Sequence, residues 1–122
     1  MGKFVVKETK SGFKFDLKAS NGEVIATSEV YSSRASCLNG IKSVQACAPD
    51  ASVEDQTAEG FEVQKHPKFE MYKDKAGEHR FRLKARNGEI IAVSEGYASK
   101  TSCVNGIASV KKNAADSQVV DE

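Results

Sequence analysis

The strongest constraint on this chain is that it contains itself twice. Residues 15–44, FDLKASNGEVIATSEVYSSRASCLNGIKSV, align without a gap to residues 81–110, FRLKARNGEIIAVSEGYASKTSCVNGIASV, at an offset of 66, and 20 of the 30 positions are identical. Upstream, Lys3-Phe4 matches Lys68-Phe69 at an offset of 65, because the second copy carries one more turn residue. Downstream, Ser52-Val53-Glu54-Asp55 falls on Gln118-Val119-Val120-Asp121. The chain is a tandem duplication, with a first repeat at residues 1–58 and a second at 59–122, together one compact domain.

Periodicity gives each repeat the same elements. Phe13, Phe15 and Leu17 alternate with Lys14, Asp16 and Lys18, as Phe81, Leu83 and Ala85 alternate with Arg80, Arg82, Lys84 and Arg86; this is the two-residue period of a half-buried strand. Phe4 and Val6, with Phe69 and Met71, form a preceding strand. Val24 to Thr27 and Ile90 to Val93 form a following one. Asn21-Gly22 and Asn87-Gly88 between the second and third strands predict a tight type I′ hairpin turn. The period then becomes helical: Cys37, Ile41, Val44 and Ala48 recur on one face, as do Cys103, Ile107, Val110 and Ala114, with Ser33 and Ser99 placed as N-caps. A short β-like segment ends each repeat, so the unit reads β-β-β-α-β. A unit of about 55 residues sits near the lower limit of what folds alone, and we expect the two to share one core.

The 122 residues are 39% hydrophobic and 29% charged with 2 Pro, the composition of an ordinary globular chain. No apolar run approaches the roughly 20 residues of a membrane span. No secretory apolar stretch follows Met1, and Val6 stands where a myristoylation motif needs Ser or Thr. Three cysteines, Cys37, Cys47 and Cys103, without a CxxC pair, fit a reducing compartment. We expect a cytoplasmic protein. The net charge of +1 falls far short of the basic balance of a dedicated nucleic-acid binder.

The run Asn-Gly-Glu-Ile-Ile-Ala, then Ser-Glu-x-Tyr-x-Ser-Lys, then Cys-x-Asn-Gly-Ile-x-Ser-Val-Lys-Lys-Asn-Ala, from Asn87 to Ala114, resembles the YegP-like family of tandem-repeat bacterial proteins of unknown function. The resemblance covers essentially the whole chain, twice. It implies an α+β two-layer sandwich in which two β3-α-β units form a single antiparallel sheet, exchange their final strands and lay both helices on one face. The first repeat departs from the pattern at Ala46-Cys47-Ala48-Pro49, which bears on the exit of its helix. The family brings no established activity.

Candidate chemistry is sparse. Cys37 and Cys103 lie one turn into their helices, where the dipole favours thiolate, yet both fall on the apolar face that must meet the sheet, and free Cys is among the most buried residue types. His66 and His79 have no partner in the other repeat, and no spacing suggests the four ligands of a metal site. No catalytic motif or cofactor fingerprint occurs, so we expect no catalytic residue, metal or cofactor. A thiol-dependent enzyme remains the minor rival.

Two surfaces stand out. Gly inside a helix costs about 1 kcal/mol relative to Ala, and Gly40 and Gly106 each sit in a stripe of small residues: Ser36, Gly40 and Ser43 in one helix, Ser102, Gly106 and Ser109 in the other. We expect these stripes to meet across a pseudo-twofold axis; the alternative is a shallow polar groove between the helices, lined by Asn39 and Asn105, that binds a ligand. On the opposite sheet face, Arg80, Arg82, Lys84 and Arg86 with Tyr72 form a basic patch suited to nucleic acid or another polyanion, unless cross-strand acids such as Glu70 balance it. The expectation from sequence is a small, non-enzymatic binding or protein-interaction module with an unidentified protein or small-ligand partner. It is expected to be monomeric, because the tandem copy supplies internally what a single repeat would need from a second chain.

Overall fold

The computed structural model describes residues 2–122. The elements run β1 (Lys3–Thr9), β2 (Gly12–Lys18), β3 (Val24–Thr27), α1 (Arg34–Cys47), a 3-10 turn (Ala48–Asp50), β4 (Ser52–Asp55), β5 (Lys68–Lys73), β6 (His79–Lys84), β7 (Ile90–Val93), α2 (Lys100–Asp116) and β8 (Gln118–Asp121). Both helices start where the capping serines place them: the Ser33 and Ser99 hydroxyls accept from the backbone N–H of Ser36 and Ser102, each at 3.1 Å. The helices end differently. Pro49 cannot donate to a continuing helix, so α1 tightens into the 3-10 turn while α2 runs on to Asp116.

The eight strands form one sheet in the order β4-β5-β6-β7-β3-β2-β1-β8. Each repeat's last strand is exchanged: β4 pairs with β5 of the second repeat, and β8 with β1 of the first. Both of these edge pairings are parallel, so the sheet is mixed where the resemblance implied a wholly antiparallel one. The ladder fixes the directions: each exchanged strand runs opposite to the strand before its helix, β4 to β3 and β8 to β7, and therefore parallel to the first strand of the other repeat. The repeats join at the centre through one register pair, Thr27↔Val93.

The hairpin turns also differ from expectation. Only the glycines have positive φ, Gly22 at +86° and Gly88 at +85°, and no other residue type does among those described. The Gly22 N–H donates to Ala19 C=O, while the Ala19 N–H donates to Glu23 C=O, both at 2.9 Å, and residues 85–89 repeat the pattern. This is a three-residue loop, a type I turn followed by a left-handed glycine. Asn21 and Asn87 use their side chains instead, each Oδ1 accepting the N–H two residues on at 3.0 Å.

Register assigns the two sheet faces. Phe4, Leu17 and Ala26 align on one face, as do Phe69, Leu83 and Ala92. They pack with Cys37, Ile41 and Val44 of α1 and Cys103, Ile107 and Val110 of α2 in one core. The copies pack alike: Phe4 meets Phe15 edge-on with centroids 5.7 Å apart, and Phe69 meets Phe81 at the same distance.

Candidate functional site

The face opposite the helices carries one register row across all eight strands: Glu54, Glu70, Arg82, Val93, Thr27, Asp16, Val5 and Val120. The two halves of this row are chemically unlike. In the half of the sheet that β4 to β7 form, Glu54, Lys68 and Glu70 are 1%, 4% and 4% exposed, and such burial is sustained only by mutual pairing. Lys68 Nζ stands 2.8 Å from Glu54 and 3.1 Å from Glu70. Glu54 also accepts from Gln56 Nε2 at 2.6 Å and from the Gln64 backbone at 2.7 Å. The other half of the sheet places Val5 and, on the exchanged strand β8, Val120 at the positions of Glu70 and Glu54.

This network decides the state of the basic patch. Arg80, Arg82, Lys84 and Tyr72 do share the face, but the basic groups are already engaged. Arg80 Nε lies 2.6 Å from Asp74, Arg82 Nε 2.6 Å from Glu70 and Lys84 Nζ 3.2 Å from the same carboxylate. The Arg82 guanidinium also covers the Tyr72 ring at 4.6 Å. Arg86, beyond the strand end and exposed, is 3.7 Å from Asp50. Burial alone pushes the Glu70 carboxyl up, but hydrogen bonds from Arg82, Lys68 and Lys84 outweigh it and hold it at about 2.

On the other face, the helix glycines serve a different purpose from the expected helix-to-helix approach. A Cβ on Gly40 would lie 2.7 Å from Tyr31 Cζ and 3.2 Å from Phe15, and one on Gly106 would lie 2.8 Å from Tyr97 Cζ and 3.1 Å from Phe81. Each glycine makes room for a tyrosine of its own repeat. The tyrosine is delivered by a backbone bridge to β2 or β6, Phe13↔Tyr31 and His79↔Tyr97, and its ring stacks on Phe15 or Phe81. Ser36 and Ser102 complete the caps through hydrogen bonds from the Ser33 and Ser99 hydroxyls. The helices meet elsewhere: α2 packs along the 3-10 turn after α1, with Lys111 Nζ donating to Ala51 C=O at 2.8 Å. Tyr31 and Tyr97 were the residues that repeat arithmetic passed over, although both copies carry them.

Polar side chains of each helix face the turn of the other repeat. A groove of about 270 Å³ is lined by Tyr31, Ser36, Asn39 and Ser43 on one wall and by Asn87, Glu89 and Ile91 on the other. Asn105, Ser109, Lys112 and Asn113 face Ala19, Ser20 and Asn21 across a second depression, whose lining has neither Tyr97 nor Glu23, the counterparts of Tyr31 and Glu89. Asn39 and Asn105 therefore line two separate grooves in place of one between the helices. Burial, reinforced by Cys37, Glu29 and Glu89, raises the Tyr31 hydroxyl, so it stays protonated as a donor.

All three cysteines are free and buried. Cys37 and Cys103 are 0% exposed and Cys47 4%. Burial pushes the Cys103 thiol up to about 11, with Asp55 adding to it, and raises Cys37 against the opposing pull of Arg34, the reverse of what a nucleophile needs. His66 and His79 lie apart, and among the described residues no three His, Cys, Asp or Glu side chains are grouped to hold a metal. No helix of the structure is long and apolar enough to cross a membrane.

The model of a domain of unknown function, DUF1508, matches residues 9–55 and again 74–121. The chain is 43% identical over 122 residues to the UPF0339 protein YegP of Yersinia pestis, covering 99% of this chain and 96% of that one. A UPF0339 protein of Treponema denticola is 63% identical over 54 residues, which is 44% of this chain but 93% of that one. The solution NMR structure of YegP from E. coli, described as a protein of unknown function, superposes with a TM-score of 0.80 at 37% identity, covering 99% of this chain and 92% of that one.

Proposed function

Given that this chain belongs to the DUF1508 family, whose function is not established, we propose that it is a small, non-enzymatic binding module that takes polar ligands in the two grooves between each helix and the other repeat's hairpin. One observation carries this reading. The polar groove residues Tyr31, Asn39, Ser43, Asn87 and Glu89 have identical counterparts in Tyr97, Asn105, Ser109, Asn21 and Glu23, while the opposite sheet face has diverged to Glu70 against Val5, Arg82 against Asp16 and Val93 against Thr27. A groove with a phenol, two amides, two serine hydroxyls and a carboxylate beside apolar Ile91 has the mixed lining of a small-molecule site. The burial of the thiols, which raises Cys37 and Cys103, supports a non-catalytic role. Three free cysteines support a reducing, cytoplasmic location, and the internal exchange of strands supports a monomer. Binding of nucleic acid through Arg80, Arg82, Lys84 and Arg86 ranks lower, because carboxylates already occupy those groups and little counterion release is left to gain.

The test is an amide chemical-shift titration of isotope-labelled protein with a panel of sugars and amino acids, followed by a pool of single-stranded DNA and RNA. Saturable shifts at Asn39 and Asn105, with Asn39→Ala silencing only the α1 groove, are the expected result. Shifts confined to Arg80, Arg82, Arg86 and Tyr72 that fade with salt would replace this reading with polyanion binding.

A further inference from the structure

A second cavity lies away from both grooves, at the end of the β5–β6 hairpin. It encloses about 450 Å³ and is lined by Gln56, Thr57, Tyr72, Lys73 and His79. Lys73 and His79 are directly paired across the two strands. Three nearby carboxylates are already taken: Asp55 by Lys100 and Thr57, Asp74 by Arg80, and Glu54 by Lys68 and Gln56. Lys73 enters none of the ion pairs formed among the described residues, although its neighbours on these strands, Lys68, Arg80, Arg82 and Lys84, all do. His79 Nδ1 is buried and has no hydrogen-bond partner, a state that calls for an explanation because buried polar groups are nearly always satisfied.

The duplication shows that packing does not demand these residues. Glu8 and Phe13 pair in the same register between β1 and β2, at the positions of Lys73 and His79. A carboxylate and an apolar ring thus build the same hairpin, and the second repeat has replaced them with an ammonium and an imidazole. An uncompensated cation with neutral donors in a concave site is the arrangement that recognises a compact anion.

We propose that the cavity lined by Lys73 and His79 is a binding site for a small-molecule phosphate monoester. The Lys73 ammonium supplies charge, while the imidazole supplies a directional donor to the phosphate oxygens. The volume admits the phosphate together with a short organic substituent. This site is independent of the helix grooves and exists only in the second repeat, so it predicts one equivalent of ligand per chain.

The experiment is an amide chemical-shift titration of the full chain with glycerol 2-phosphate at fixed ionic strength and pH, with glycerol and sodium chloride as controls. Saturable shifts at Lys73, Tyr72 and His79 with the ester alone are expected. They should be lost in Lys73→Glu/His79→Phe, which installs the residues the first repeat uses, and strongly weakened in Lys73→Gln, an exposed change that leaves the hairpin intact. Absence of a saturable shift, equal shifts with chloride, or unaltered binding in Lys73→Gln would overturn the proposal.

Discussion

Arg34, the first residue of α1, grips Asp121, near the end of the exchanged strand β8, in a two-point contact: Nε to Oδ1 at 3.0 Å and the terminal nitrogen to Oδ2 at 2.7 Å. Lys100, the first residue of α2, holds Asp55 of the exchanged strand β4 in the matching place. Each helix start thus fastens the strand donated by the other repeat. These pairs are largely exposed, so each adds at most about 1 kcal/mol; their importance is that they mark how completely the repeats depend on each other. The β4 strand has no partner within its own repeat, and β1 borrows β8.

Residues 1–58 expressed alone should therefore not persist as a folded monomer. The expected product is a symmetric dimer in which two copies donate β4 to each other's β1, observable as a doubled mass in sedimentation equilibrium. The UPF0339 protein of Treponema denticola is matched over 93% of its length by 54 residues of this chain, the span of a single repeat. A folded, monodisperse monomer of 1–58 at micromolar concentration would contradict the interdependence argued here.

Gly40 offers a sharper test of packing. Replacing a mid-helix glycine by alanine normally stabilises by about 1 kcal/mol, but here the new Cβ meets the Tyr31 ring. The Gly40→Ala variant should instead lose about 1–3 kcal/mol, as overpacked cores do. In a Tyr31→Ala background the same change should become neutral or stabilising. Urea unfolding of the four members of this cycle measures the coupling directly, and a coupling near zero would return the glycine to a helix-packing role.

What the sequence disclosed and what it withheld divide along physical lines. Strands, helices and caps follow from local patterns, and Phe15, Leu17, Ser33 and Ile41 announce their roles within a few residues. The exchange of final strands entered through family resemblance, because nothing local distinguishes a strand that pairs at home from one that crosses. Tyr31 was missed as the reason for Gly40 because the two are brought together by the bridge to Phe13, a non-local pairing. Lys68 reads as a surface lysine until the register sets it between Glu54 and Glu70. The Asn-Gly signal located both turns but misjudged their type, since the same dipeptide fits a two-residue loop and a three-residue loop with a glycine bulge.

Acid should expose the Glu70 network. A carboxyl that ordinarily titrates at 4.5 is held at about 2 in the folded protein, so its contribution is full above 4.5 and disappears as the pH falls towards 2. The drop corresponds to on the order of 3 kcal/mol, shared among Lys68, Arg82 and Lys84. Asp16 and Glu54 are shifted in the same direction and steepen the loss. Glu70→Gln should be less stable at neutral pH and should show a flatter stability profile between pH 5 and 2. Parallel profiles for the two proteins would mean that the pairing adds nothing beyond its geometry.

The cysteines supply the most direct check on the non-catalytic reading. A thiolate is the reactive species, and at pH 8 a thiol pushed up to about 11, as Cys103 is, holds on the order of one part in a thousand of it. Its sulfur is also fully enclosed by the core beneath α2, so reagent reaches it only when the fold opens. An aromatic disulfide reagent should label none of Cys37, Cys47 and Cys103 in the native protein over minutes and all three at once in denaturant. The labelling rate should track unfolding, slowing in any variant that stabilises the sheet and quickening in Gly40→Ala. Rapid native labelling of Cys37 or Cys103 alone would identify an activated thiol and reopen the enzymatic reading, because packing and burial leave no other route to it.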